Sequence, residues 1–291
     1  MAVLVFAGFT STGDAAAASS GVRCGSRITR DTTLTKDLHC KKDGLKIGAS
    51  GITLDLGGHD IVGPGKPGTK GIQNSGHDGV VITGYAGGEV RGFDRGVELR
   101  KGADDNEVVG MHIRGGHYGV VLFDSDHARL DDNLVTAGAK ADGYNGGSGA
   151  AIALYRSHEN FFEENFSENN GVNVMVLENS HRNQIFETNF RDEIWADPVG
   201  HLHDFDPNLG TGLLLRNSDQ NRIVGNIFAE NANDGLFVDS KSTDNVVGGN
   251  LAINNNKLGM NIRGRTKDAG GNRALGNGWM AQCRGIACLN E

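Results

Sequence analysis

The feature that most constrains the fold of this chain is an internal repeat of about 23 residues. Each repeat opens with a glycine and a short apolar-x-apolar segment, and in the later repeats two asparagines five residues apart follow, whereas earlier coils keep the frame with Asn106 followed by Met111 and Ala128 followed by Asn133. The opening glycines are Gly71, Gly96, Gly119, Gly149, Gly171, Gly212, Gly235 and Gly259. Asparagine pairs with this spacing are Asn160/Asn165, Asn221/Asn226, Asn245/Asn250 and Asn272/Asn277, and Asn183/Asn189 has one additional residue between its members.

Three short strands in each repeat, separated by tight turns, predict a parallel β-solenoid whose coils stack about 4.8 Å apart. Equivalent turn residues then lie above one another, so asparagine amides can hydrogen-bond from coil to coil. We expect these asparagines to adopt the left-handed backbone conformation of turns. The chain has 45 glycines but only 4 prolines among 291 residues, which disfavours a helical bundle and collagen. A β-propeller is the rival interpretation, but its blades need about 40 residues and carry more aromatic side chains.

Charge and hydropathy argue against two classes of partner. The formal net charge of −8 disfavours a surface that neutralises nucleic-acid phosphates. No apolar run approaches the roughly 20 residues that a membrane-spanning helix needs. We therefore expect neither a nucleic-acid partner nor a membrane span, and we expect a monomer.

The two ends of the chain carry the signals of an exported protein. Residues 1–20 combine a short apolar run with the small residues of an A-x-A cleavage site, which predicts a signal-peptide remnant or a disordered tail. The four cysteines form two local pairs, Cys24 with Cys40 and Cys283 with Cys288. Their spacings fit zinc ligation poorly, so we expect two disulfides and a secreted protein.

The chain resembles secreted bacterial right-handed parallel β-helix repeat proteins of the pectate-lyase-like and NosD-like group. The resemblance rests on segments 24–40, 44–63 and 281–288 together with the asparagine-spaced coils. It implies an all-β fold, a single right-handed parallel β-helix of about nine coils over residues 21–291. The group includes polysaccharide lyases, glycoside hydrolases, uronate epimerases, surface-binding proteins and accessory proteins, so the fold does not select an activity.

Two insertions interrupt the repeat, at residues 138–149 and 192–211. Both precede an opening strand, so we expect both to leave the same corner of the solenoid and to bracket the coil between them. Insertions on one side of a repeat fold often build its binding face.

The opening strands predict two outward-facing columns of side chains. One contains Arg100, Phe123, Tyr155, Glu178, Arg216, Asp239 and Arg263. The other contains Glu98, Val121, Ala153, Val176, Leu214, Phe237 and Asn261, and its middle is apolar. Because an outward apolar patch normally has a cover or a partner, we expect the insertions to fold over it. The groove left between them would be lined by Phe123, Tyr155, Glu178 and Arg216.

This groove has the groups that β-elimination next to a uronate requires, namely a base, positive charge for the enolate-like intermediate and an acid. We expect His203 or Lys140 to be the base and Arg216 to hold the carboxylate. We expect Tyr144 or Tyr155 to be the acid for the leaving oxygen. The same groups would serve C5 epimerisation, given a second donor on the opposite sugar face. Substrate contacts are expected from Phe123, Glu178, Trp195, His117, Tyr118 and Asp239.

Glycoside hydrolysis is an open alternative. Glu178 with Asp204 or Asp206 would supply the required pair of carboxylates. The adjacent Asp131 and Asp132 lie just before the second asparagine position of their repeat, so we interpret them as an ordinary turn pair.

Binding without catalysis is the other alternative. Aromatic side chains would stack on sugar rings, and carboxylates with imidazoles would hold Ca²⁺ or a transition metal. The residues that would hold such an ion are His201, Asp204 and Asp206. Other histidines recur just before the first asparagine of a repeat, so we interpret them as turn or ladder residues, among them His77, His127, His158 and His181.

Overall fold

The computed structural model describes residues 21–137, 149–167, 173–191 and 210–289. Regular structure in these ranges consists of β-strands, and no helix in them is long and apolar enough to cross a membrane. The strands in chain order are β1 (Arg27–Ile28), β2 (Thr32–Thr33), β3 (Leu38–His39), β4 (Leu45–Ile47), β5 (Thr53–Asp55), β6 (Ile61–Ser75), β7 (Val81–Thr83), β8 (Glu89–Arg100), β9 (Glu107–Val109), β10 (His112–Phe123), β11 (Arg129–Asp131), β12 (Leu134–Ala137), β13 (Ala150–Tyr155), β14 (Phe161–Glu163), β15 (Phe166–Ser167), β16 (Asn173–Glu178), β17 (Gln184–Phe186), β18 (Asn189–Arg191), β19 (Leu213–Arg216), β20 (Arg222–Val224), β21 (Ile227–Ala229), β22 (Leu236–Val238), β23 (Asn245–Gly248), β24 (Leu251–Ile253), β25 (Met260–Ile262), β26 (Thr266–Gly270), β27 (Arg273–Leu275) and β28 (Cys283–Arg284).

These strands form two parallel sheets that make three faces of a solenoid. The first face holds the opening strands, from β1 and β4 through β13, β16 and β19 to β28. The second face is a ten-stranded sheet running from β2 to β26. The third face holds β3, β12, β15, β18, β21, β24 and β27, and the long strands β6, β8 and β10 join it to the first. The chain is therefore a parallel β-helix of about nine turns, as predicted.

The interior is one continuous stack of apolar side chains. Leu154 pairs in register with Leu177, and Leu177 with Leu215, and all three are fully buried. The rings of Phe190 and Phe228 stack with centroids 5.1 Å apart on the third face. Because each coil buries its apolar side against its neighbours, the stack supplies most of the hydrophobic stabilisation.

Most of the opening glycines that the structure describes lie at the tight corner where the third face meets the first. A Cβ atom on Gly235 would lie 2.6 Å from a backbone oxygen of the next coil and 2.8 Å from the Cβ of Phe228. Both distances are inside van der Waals contact, which explains why glycine recurs there. The strand register sets Ala151, and not Gly149, opposite Gly119. Gly149, which was predicted to open that coil, therefore lies two residues before the corner position.

Asparagine ladders run along the solenoid, and this coil-to-coil bonding confirms the prediction. The N–H and Nδ2 of Asn221 donate to Oδ1 of Asn245 at 2.8 and 3.1 Å. Each bond satisfies a buried polar group that water does not reach. The first ladder contains Asn160, Asn183, Asn221 and Asn245, the second Asn133, Asn165, Asn226, Asn250 and Asn272, and the third Asn231, Asn255 and Asn277.

Two assignments to these ladders were wrong. Thr188, and not Asn189, fills the gap in the second ladder, where its N–H donates to Oδ1 of Asn226 at 3.1 Å. Asn272 and Asn277 belong to the second and third ladders, respectively, rather than to the first and second. The spacing of five residues therefore occurs at two successive turns, and the sequence pattern alone did not separate them.

The predicted backbone conformation of the ladder asparagines was also wrong. The left-handed residue is the one before each ladder member, such as Gln220 (φ 58°) before Asn221 and Asp244 (φ 56°) before Asn245. The left-handed residue turns the chain so that the N–H of the following ladder residue points along the solenoid axis toward the next coil.

A further ladder in the turn between the first and second faces uses histidine and aspartate. The N–H of His181 donates to Nδ1 of His158 at 3.0 Å, and the N–H of Asp219 donates to Nδ1 of His181 at 2.9 Å. An accepting ring nitrogen carries no proton. Burial and the neighbouring His158 lower the pKa of His181, which favours the accepting form. These two histidines are therefore ladder residues, as predicted.

Both predicted disulfides are present. Cys24 bonds to Cys40 with their Cα atoms 5.4 Å apart, and Cys283 bonds to Cys288 with their Cα atoms 6.1 Å apart. Each bond packs against one end of the apolar core. The disulfides thus close the two ends of the stack, where coils have only one neighbour.

Candidate functional site

The outward side of the first face carries a strip of side chains held in register. Val121 pairs with Ala153, Ala153 with Val176, and Val176 with Leu214. These residues belong to an apolar cluster separate from the core, and none of them is more than 6% exposed. The outward apolar patch is therefore buried, and the prediction that the two insertions cover it lies outside the described residues.

A buried ion cluster lies at the end of this patch nearest the N-terminus. Glu98 is fully buried although it belongs to the outward column. Its carboxylate forms ion pairs with Arg95 and, at 3.5 Å, with Arg100, and it accepts a hydrogen bond from Nε2 of Gln73 at 2.8 Å. Such partners offset the cost of removing a carboxylate from water. Two guanidinium groups are thereby fixed beside the patch.

Aromatic side chains lie at the centre of the strip. The rings of Phe123 and Tyr155 stack with centroids 5.1 Å apart, and the ring of His117 stacks on Tyr118 at 4.2 Å. The guanidinium carbon of Arg95 lies 5.4 Å from the ring centroid of Phe123, a cation–π contact. The fold therefore brings together four of the predicted site residues.

Two phenols meet within this aromatic group. The hydroxyl oxygens of Tyr118 and Tyr155 lie 2.9 Å apart, so either hydroxyl can donate to the other. Burial raises the pKa of Tyr118. Burial raises the pKa of Tyr155 even further, and the neighbouring Tyr118 and Glu178 add to the shift. Both groups therefore hold their protons through the physiological pH range.

Charged residues continue the column beyond the phenols. The register pairs Tyr155 with Glu178 and Glu178 with Arg216, so the three follow one another at the coil spacing of about 4.8 Å. In the next coil the carboxylate of Asp239 accepts hydrogen bonds from the N–H and hydroxyl of Ser242 at 2.8 and 2.6 Å. Asp239 thus stabilises its own turn, and its contact with substrate stays a prediction.

The other predicted site residues lie outside the described residues, because the insertions 138–149 and 192–211 are described only at their last residues. Their roles as base, acid, sugar contact or calcium ligand stay predictions. In the ranges that the structure describes, no group of three or more His, Cys, Asp or Glu side chains is arranged to hold a metal ion. The residues concerned are His203, Lys140, Tyr144, Trp195, His201, Asp204 and Asp206.

The role of Arg95 in the site was missed by the sequence reasoning. Arg95 directly precedes an opening glycine, as Tyr118 does one coil later, and the register pairs the two residues. Glu98 and Arg100 were assigned to the outward columns but not recognised as partners of Arg95. The equivalent positions of Arg95 and Tyr118 in successive repeats are the sequence signal that would have identified Arg95 as a site residue.

A family model described as a right handed beta helix region matches residues 95–277, which is more than half of the chain. No curated protein sequence matches the chain significantly.

Several solved structures share the fold. An alginate lyase from Paenibacillus sp. str. FPU-7 is 16% identical, with a TM-score of 0.58 over 93% of this chain and 92% of that chain. The Dettilon tailspike protein is 13% identical, with a TM-score of 0.57, and the match covers 89% of this chain but only 59% of the tailspike. The periplasmic alginate epimerase AlgG is 16% identical, with a TM-score of 0.52 over 88% of this chain and 74% of that chain. At such identities the likeness is one of fold.

Proposed function

Because the chain belongs to the right-handed β-helix family, we propose that it is a carbohydrate-active protein whose first face binds an acidic polysaccharide. The proposed reaction is β-elimination in a uronate-containing polymer, or epimerisation of the uronate at C5. Both reactions need a proton donor and positive charge next to a sugar carboxylate, and the first face carries both.

The observation that carries the proposal is the hydrogen-bonded pair of Tyr118 and Tyr155. In a lyase the base removes the C5 proton, and Tyr155 gives its own proton to the glycosidic oxygen as the C4–O bond breaks. The hydroxyl of Tyr118 then donates to the phenolate that Tyr155 has become. The burial that raises the pKa of Tyr155 keeps the acid protonated before the reaction.

Cationic side chains supply the second requirement. Arg216 follows Glu178 along the column and is proposed to hold the uronate carboxylate through its planar fork. Arg95 and Arg100 extend the positive charge toward the N-terminal end of the strip. The proposed base is His203 or Lys140, from the insertions that precede the neighbouring opening strands.

Features beyond the site support the same proposal. Two structures with this fold are described as an alginate lyase and an alginate epimerase, which correspond to the two reactions proposed. Two disulfides support an oxidising location outside the cytoplasm, in keeping with secretion. Calcium bound by Asp204 and Asp206 is part of the proposal and is tested below.

Binding without catalysis is the second candidate. It is favoured by one observation, namely that the hydroxyls of Tyr118 and Tyr155 already satisfy each other within an aromatic surface suited to sugar stacking. Hydrolysis is less well supported on the described part of the first face. There the carboxylate of Glu98 is held in ion pairs and that of Asp239 in turn hydrogen bonds, so Glu178 is the one candidate carboxylate in the described part of the column, and hydrolysis needs two.

A panel of polyuronates, neutral glycans and their oligomers tests the proposal. A lyase produces the absorbance of unsaturated ends, and an epimerase changes the uronate composition without new ends. A hydrolase produces reducing ends without that absorbance. Retention of a polyuronate on an affinity gel without any product supports the binding alternative, and no interaction with any polyuronate overturns the proposal. Repeating the assay with a calcium chelator tests the proposed ion.

A further inference from the structure

The edge of the solenoid opposite the first face carries a second concave surface. Here the second face turns into the third, and an open groove of about 600 Å³ lies across several coils. Its lining includes the side chains of Tyr85, Glu89, His112, Asp132, Glu164 and Phe166. None of them takes part in the site on the first face.

Tyr85 forms a supported aromatic platform in this groove. Its side chain is 64% exposed, the most exposed aromatic residue in the described ranges. One side of the ring lies against the backbone of Gly110, where a Cβ atom would be 2.3 Å from Cδ1 of the tyrosine. The following coils carry Asp132 and Glu164 at the position of Gly110. Glycine at position 110, where the next two coils carry acidic side chains, therefore makes room for the ring, whose exposed side faces the groove.

Arginines neutralise part of the acidic lining. Arg91 forms ion pairs with Asp60 at 3.7 Å and with Glu89 at 3.2 Å, and Arg114 forms one with Glu89 at 2.9 Å. His112 lies 3.6 Å from the same Glu89 carboxylate. The charges of these groups compensate one another, so the net negative charge of the groove comes from its other two carboxylates.

Asp132 and Glu164 are the uncompensated carboxylates. Both are exposed, they occupy equivalent positions on successive coils, and neither has an ion pair with any residue that the structure describes. Their like charges lie about one coil spacing apart, which costs stability unless a cation is bound. Partial burial and the carboxylates of Asp131 and Asp132 raise the pKa of Tyr85, so the negative field reaches the platform.

We propose that this groove binds an amino sugar with a free amine, as a carbohydrate site separate from the first face. The pyranose ring would stack on the open side of Tyr85, as sugars and other apolar ring faces do on aromatic side chains. The protonated amine would lie between the carboxylates of Asp132 and Glu164. The same carboxylates repel a uronate, so the two sites select opposite charges. The inference does not depend on the activity proposed for the first face.

Isothermal titration calorimetry with a glucosamine oligomer tests this site. The titration is run at mildly acidic pH, where the amines of the oligomer are protonated. The fully N-acetylated oligomer, which has the same ring without the charge, is expected to bind at least about fivefold more weakly, because two exposed ion pairs are lost. Tyr85→Ala is expected to weaken binding of the glucosamine oligomer about tenfold through lost stacking.

Matched variants identify the groups responsible. The double substitution Asp132→Asn with Glu164→Gln is expected to abolish the preference for the free amine. Glu187→Gln is the control, because Glu187 continues the same column one coil further on but does not line the groove. Tyr155→Phe on the first face is expected to leave the affinity unchanged.

Three results would overturn the proposal. They are no binding of the glucosamine oligomer, equal binding of its acetylated form, and equal loss of affinity in the Glu187→Gln control. A lysine-rich peptide that displaces the oligomer and itself binds as tightly would show that the groove selects amines in general, and would overturn the assignment to a sugar.

Discussion

Tyr155 acquires its proposed chemistry from two contacts on the first face. Its ring is held by stacking on Phe123, and its hydroxyl by the bond to Tyr118. The first contact fixes the position of the phenol, and the second fixes the direction of its proton. A substitution can remove the hydroxyl without disturbing the ring.

Tyr155→Phe is expected to lower kcat on a polyuronate by about 100-fold, because the general acid is lost. KM should change little, since the aromatic surface is kept. Steady-state kinetics on the polymer that the panel identifies measures both constants. Tyr118→Phe, which removes the partner and leaves the donor, should have the smaller effect. Full activity of Tyr155→Phe would rule out this residue as the acid.

The corner glycines give a residue-scale test of the packing. Gly235→Ala is expected to destabilise the protein by about 2 kcal/mol, because the new methyl group overlaps the next coil and Phe228. Gly21→Ala is the matched control, since nothing lies within 4 Å of a Cβ at that position. Thermal melts of both variants decide the question. A melting temperature equal to wild type for Gly235→Ala would contradict the explanation given for the repeated glycine.

At the scale of the element, the second asparagine ladder contains one imperfect member. Thr188 donates its N–H to Asn226 but offers no amide oxygen to the preceding Asn165. An asparagine at this position would supply an acceptor to the coil before it, as Asn226 does for Thr188.

Thr188→Asn is therefore expected to stabilise the protein by about 1 kcal/mol, the contribution of a typical intramolecular hydrogen bond. Asn226→Thr introduces a second interruption and should destabilise by a similar amount. Differential scanning calorimetry compares the two. A lower melting temperature for Thr188→Asn would show that ladder continuity does not limit stability.

The histidine ladder makes the turn between the first and second faces sensitive to acid. Burial and His158 lower the pKa of His181, while Asp219, 3.7 Å from Nδ1 of His181, opposes the shift and Arg182 adds to it. Folding thus favours the neutral ring. The stability that this ladder contributes is present above the ordinary histidine pKa of about 6.5 and declines as the pH falls below it.

His181→Asp is expected to reduce the loss of melting temperature between about pH 7.5 and about pH 5, because a carboxylate accepts the same N–H without a proton to displace. Aspartate already plays this part in an earlier coil, where Asp126 accepts the N–H of His158 at 2.6 Å. Melts across that pH range compare variant and wild type. An unchanged acid dependence would assign the effect to other groups.

The fold was predictable from the sequence because ladder residues of successive coils must stack on one another. This stacking repeats asparagine at a regular interval along the chain. Thr188 and Asn189 show where this reasoning fails, since a residue that keeps the position but not the amide is invisible to a search for asparagine. The first-face columns were predictable from strand alternation. The groove at Tyr85 was not, because it depends on the space above Gly110, which only the register reveals.

At the scale of the whole molecule, the two disulfides lie at the two ends of the solenoid, where the stack of coils ends. The loop closed by Cys24 and Cys40 spans 16 residues, and that closed by Cys283 and Cys288 spans 5. In the chain-entropy model the longer loop gives the larger stabilisation.

Removal of the first disulfide, by replacing Cys24 and Cys40 with serine, is expected to destabilise by about 3 kcal/mol, and removal of the second by about 2 kcal/mol. Hydrogen exchange should show the loss of protection concentrated in the coils next to each removed bond. Protection lost equally along the whole chain would mean that the solenoid unfolds as one cooperative unit rather than from its ends.

In the described part of the chain, the ladder residues bond within their own coil and to the adjacent coils, so the ladders tie no distant parts of the stack together. A single turn such as residues 235–258 is therefore a modular unit, which gene duplication could add or delete in phase. Such an event would lengthen or shorten the rod and, if the proposed function holds, change how many sugar units it accommodates, while the remaining contacts between coils kept their geometry.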